Sequence, residues 1–190
     1  MRLSEWASVL RLELPADDET RTYYTRRLAE ACANGGRGRR FWMPRSVLVD
    51  VLAHEEGERA AVVRRAQRVC RYQRLPGLLL VERRTRNRRL EMRDAGSRRM
   101  TASLDSLDPG FRERLFRRTA AGLEPLAVWL NEDGLPRVAH GWQHTFDTGN
   151  ERVARAGLTS FEAHAHMMRH SFALRWYSVG RCSTSGKSRT

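Results

Sequence analysis

The chain has 190 residues, with Lys+Arg 35 against Asp+Glu 22, a formal charge of +13, 41% hydrophobic and 30% charged residues. That hydrophobic fraction excludes a wholly disordered polypeptide, and the length fits one folded domain, or a core plus appendages, with a very polar surface. No run reaches the roughly 18 uncharged apolar residues of a membrane span, and the first residues lack the basic-then-apolar layout of a signal peptide, so the chain is expected to stay in the cytoplasm.

From Arg2 to Leu14 the apolar residues Leu3, Trp6, Val9, Leu10 and Leu14 recur at three and four, the spacing of one helix face, and Pro15 ends the pattern. Residues 16–27 are polar around Tyr23 and Tyr24. The segment A-N-G-G-R-G-R-R from Ala33 to Arg40 is a Gly-Arg turn ahead of Phe41-Trp42-Met43. Apolar and aromatic residues on both sides of such a turn predict a β-hairpin with a basic tip. Pro44 precedes a second helical pattern, with Val47, Leu48, Val51 and Leu52 on one face and a continuation through Ala61 to Val69.

Residues 78–104 alternate short apolar runs with Arg-rich and Asp-Ala-Gly turns, which predicts a small β insertion. Asp108 caps the next, short helix, with Pro109 at its first position and Phe111, Leu115 and Phe116 on its inner side. Leu126 to Leu130 reads as a strand followed by the turn N-E-D-G-L-P. Trp142 to Ala156 is helical and closes at Gly157, and a last helix is expected from about Ala165 to Val179, stopping at Gly180. Residues 181–190 carry no apolar member beyond Cys182 and are expected to be a disordered tail.

Cys32, Cys70 and Cys182 form no C-x-x-C element and read as buried or incidental thiols. The basic side is almost wholly arginine, because Lys187 is the only lysine. Guanidinium stays protonated and grips a phosphate with two parallel hydrogen bonds, but it releases a proton poorly.

Local chemistry concentrates in A-H-M-M-R-H-S-F-A-L, residues 165–174. His166 and Arg169 are three apart and share a helix face near its N-terminal end, a phosphate-gripping arrangement. His166 and His170 have metal-ligand spacing, but without an accompanying Glu-x-x-His context or a third ligand beyond nearby Glu162.

The segment H-x-x-R-H-S-F-A resembles the second catalytic box of the tyrosine recombinases, the phage integrase family, with Ala165 where that box usually has proline. Arg2-Leu3-Ser4-Glu5 resembles its first, G-x-R-x-S-E box. The order of elements between them agrees with the family, so the resemblance spans residues 1–180. It implies a mainly α fold with a small β-hairpin and a β insertion over 78–104, an α+β class. It also implies a phosphate clamp of Arg2, His166 and Arg169 acting on a DNA backbone ester, with no cofactor, no membrane and no small-molecule substrate. Double-stranded DNA is the implied partner, with other recombinase protomers beside it on the nucleoid.

The family's hairpin carries a lysine that protonates the departing 5′ oxygen. Here the turn offers Asn34, Arg37, Arg39 and Arg40, and Arg37 is the stand-in. A guanidinium there holds a phosphate oxygen well and donates a proton badly. The third box and the nucleophilic tyrosine of the family find no match. Tyr177 lies eight residues beyond Arg169 on the same expected helix, about 12 Å along its axis. The expectation is therefore a catalytic domain truncated at both ends, an inactive fragment of a site-specific recombinase. The alternative is a non-catalytic DNA-binding remnant or an interfering partner of an intact recombinase.

Overall fold

A computed structural model of the chain describes residues 2–158, 162–164 and 167, which fall into two units. One unit comprises residues 4–138. The other groups the first three residues with the segment that begins at Ala139. The fold is mixed, with helices and two sheets, in keeping with the expected α+β class.

The first helix, α1, spans only Leu3–Ala7, which corrects the helix expected over residues 2–14. The i, i+3 and i+4 spacing continues, but tertiary pairing captures the chain. Leu10 is fully buried and forms an antiparallel bridge with Ala127, and the Arg11 N–H donates to Leu126 O at 2.8 Å. Residues 11–13 then make a single 3-10 turn.

The basic hairpin follows as expected. Strands β1 (Tyr23–Leu28) and β2 (Arg39–Pro44) pair antiparallel from Tyr23 with Pro44 to Leu28 with Arg39. Its inward residues Tyr24 and Met43 pack with Leu48 of α2 (Arg45–His54), and Trp6, Phe41, Val47 and Leu52 surround them. At the connection Gly35 and Gly36 take φ of +85° and +67°, backbone that other residues adopt with strain. Helix α2 runs through a π-helical segment, Glu55–Arg59, into α3 (Ala60–Arg68), the continuous helix anticipated from the apolar spacing.

The β insertion is also present, as β3 (Leu79–Arg84), β4 (Arg89–Asp94) and β5 (Arg99–Ser103). It is part of a larger sheet. The short α4 (Pro109–Glu113) starts where Asp108 accepts the Phe111 N–H at 2.9 Å, and β6 (Leu115–Thr119) and β7 (Gly122–Pro125) follow. The strand order is β5-β4-β3-β6-β7, with β3 and β6 parallel and the other neighbours antiparallel. Leu115 and Phe116, expected on a helix face, are thus strand residues. Both are buried, Leu115 against Leu79, Leu90, Leu104 and Leu126, and Phe116 against Tyr72 and Val63. Alternation along β4 sends Leu90 and Met92 into the first of these cores.

Residues 126–130 form no strand of their own. They contribute isolated bridges, Ala127 to Leu10 and Leu130 to Pro136. In the other unit α5 spans Ala139–Arg155 and is followed by Gly157 at φ +86°, the glycine stop expected there. Asn150 fastens residue 163 to this helix, its side chain donating to Ala163 O at 3.0 Å and accepting from the Ala163 N–H at 2.8 Å. The expected helix from Ala165 to Val179 and the tail over 181–190 lie outside the described residues, apart from helical Met167. Among the described residues no helix is long and apolar enough to cross a membrane.

Candidate functional site

Arg2 precedes the first residue of α1 and its side chain is exposed. His166 and Arg169, the other two members of the expected clamp, lie outside the described residues, as do His170 and Tyr177. Arg37 is described. It lies in the connection between β1 and β2, is exposed, and makes no hydrogen bond or ion pair with another described residue, so its guanidinium is open to solvent.

The hairpin connection is held in place by a residue whose role the sequence did not disclose. Glu5 of α1 is fully buried. Its Oε1 accepts from Arg39 Nη2 at 2.6 Å and from the Asn34 backbone N–H at 3.2 Å, so both ends of the Gly-Arg connection are anchored to one carboxylate. A carboxylate withdrawn from water is tolerable only when its lone pairs are filled in this way. The connection from 34 to 39 therefore carries Arg37 outward from a fixed base. Of the four turn residues, Arg39 serves structure and Asn34 contributes its backbone, leaving Arg37 and Arg40 available for a ligand.

Several other arginines are structural staples. Arg59, at the end of the π-helical segment, is 2% exposed and donates to Glu124 Oε1 at 2.7 Å, Pro125 O at 2.6 Å and Ala127 O at 3.0 Å. Burial lowers its pKa, with the Glu124 hydrogen bond opposing that effect. Glu124 is shared by Arg11, Arg59 and Arg117. Burial raises the Glu124 pKa, but the hydrogen bonds from Arg59 and Arg117 and the charge of Arg11 outweigh it, and the carboxyl ends below its ordinary value. Arg112 is buried likewise, gripping Glu13 Oε2 at 2.6 Å and the carbonyls of Leu104, Leu107 and Ser8. The sequence shows how many arginines there are. Only the fold separates those that build the core from those that face outward.

Two of the three thiols fall among the described residues. Cys32 is buried, its Sγ 3.4 Å from Leu107 O, and burial pushes its pKa up, whereas Cys70 is exposed and Cys182 lies outside the described residues. Among the described residues no three His, Cys, Asp or Glu side chains converge to hold a metal ion. Glu162, the nearest carboxylate in sequence to His166, lies 3.2 Å from His164 Nε2.

No family model, curated protein or solved structure matches the chain.

Proposed function

We propose that this chain contributes the phosphate-gripping part of a tyrosine-type site-specific recombinase, binding double-stranded DNA through one backbone ester. In this reading Arg2, His166 and Arg169 form the clamp, and Arg37 of the hairpin is a further candidate phosphate contact. The observation that supports it best is the grouping of Arg2 and Leu3 with the segment that begins at Ala139. The two boxes of the resemblance lie at opposite extremities of the chain, and a shared phosphate requires those extremities to meet.

The chemistry follows from charge. A phosphoryl group in transfer gathers negative charge on its equatorial oxygens. Two guanidinium groups and an imidazole offset that charge, and each can donate hydrogen bonds to it. The exposed Arg37 can hold a phosphate oxygen but is a poor proton donor to a departing alkoxide, because a guanidinium holds its protons too firmly to act as a general acid.

The test is a salt titration of duplex DNA binding by the full chain and by Arg169→Ala and Arg2→Ala. Each guanidinium taken away from a phosphate should lower the slope of log K against log salt by about one. Both variants are expected to lose affinity and slope, while Arg64→Ala, at an exposed position of α3, changes little. Equal losses at all three positions would reduce the role of arginine here to diffuse surface charge.

A further inference from the structure

At the edge of the hairpin lies a cleft of about 310 Å³ lined by Glu13, Thr25, Arg26, Arg27, Arg40 and Arg88, all within the unit spanning 4–138. Four guanidinium groups face one carboxylate there. Arg27 and Arg40 are direct partners across the β1–β2 ladder, a like-charge pairing that costs stability. Arg88 enters from the turn between β3 and β4, at φ +57°.

The acidic groups nearby are already shared out. Asp105 serves Arg27 at 3.5 Å and Arg88 at 3.3 Å. Glu13 serves Arg112 at 2.6 Å, Arg88 at 3.3 Å and the Leu10 N–H at 3.2 Å. The side chains of Arg26 and Arg40 have no hydrogen-bond or ion-pair partner among the described residues. The Nε atoms of Arg26 and Arg88 are also shielded from solvent without an acceptor. Burial, together with the charges of Arg84 and Arg88, lowers the Arg26 pKa, which reports the same unrelieved crowding of cations. Donors withdrawn from water and left unpaired are costly, and an anion would both fill them and offset the repulsion.

We propose that this cleft is a phosphate-binding site, with Arg26 and Arg40 as the principal ligands, Arg88 Nε as a further donor and the Thr25 hydroxyl beside them. The phosphate can come from a free oligophosphate or from a nucleic-acid backbone. The site uses none of the residues assigned to the clamp, so it stands whether or not Arg2 and Arg169 share an ester.

The full chain is titrated at low salt with inorganic pyrophosphate and, separately, with a short DNA duplex. Arg26→Gln and Arg40→Gln are each expected to weaken binding about tenfold in at least one arm, without lowering Tm, since neither side chain holds a partner. Arg64→Gln serves as the surface-charge control. Loss in the pyrophosphate arm alone assigns a free oligophosphate, and loss in the duplex arm alone assigns a nucleic-acid backbone. Unchanged binding in both arms, or an equal loss in the control, overturns the site.

Discussion

Glu5 and Arg39 are 34 residues apart in sequence, and their ion pair fastens the hairpin to α1 through a carboxylate with no solvent exposure. Removing either partner strands the other or empties a buried site. Glu5→Ala is expected to cost about 3 kcal/mol. Arg39→Ala is expected to destabilise as well, and in a double-mutant cycle by urea unfolding the two should couple by at least about 1 kcal/mol. Additive effects would show that the pair does not hold the hairpin.

Tyr72 gives the protein an alkaline limit. Its side chain is buried, the hydroxyl donates to Gly134 O at 3.0 Å, and burial pushes its pKa from 10.0 up to about 12. In the unfolded chain the phenol ionises at the lower value. Its contribution is therefore complete below pH 10 and declines as pH rises toward 12, by about 3 kcal/mol in all. Stability measured across that window should fall for the wild type and fall less for Tyr72→Phe.

Glu124 sets an acidic limit of opposite sign. Its folded pKa lies below the ordinary 4.5 once the arginines have overcome the effect of burial. The stability it contributes is present above pH 4.5 and is lost as pH falls through the folded value. Glu124→Gln should lower stability at neutral pH and flatten its decline on acidification, measured by urea midpoints over that range.

Gly134 tests the N-E-D-G-L-P turn. It adopts φ +86°, and a Cβ there would lie 2.6 Å from Ala66 Cβ and 2.7 Å from the Tyr72 hydroxyl. Gly134→Ala is expected to cost about 2 kcal/mol, through backbone strain and a clash that a rigid core cannot relieve. An unchanged thermal midpoint would contradict that packing.

Elements governed by neighbouring residues were legible in the sequence. The Gly-Arg connection of the hairpin, the Asp108 cap with Pro109, and the Gly157 stop all obey local rules. The failures were non-local. Leu10 and Arg11 left a helical pattern because residues 126–127 supplied a bridge and a carbonyl acceptor, and Leu115 and Phe116 joined a strand because β3 offered a parallel partner. The site divides in the same way. R-x-S-E singles out Arg2, yet within that motif Glu5 is the residue tied to the hairpin. The burial of Arg59 and Arg112 depends on carboxylates 65 and 99 positions away.

A crystal structure of the full chain bound to a short duplex would examine the clamp itself. Guanidinium nitrogens of both Arg2 and Arg169 are expected within about 3 Å of oxygens on a single phosphate, with His166 beside them. Finding the two arginines on different phosphates, or either one turned away from the DNA, would contradict the proposed function.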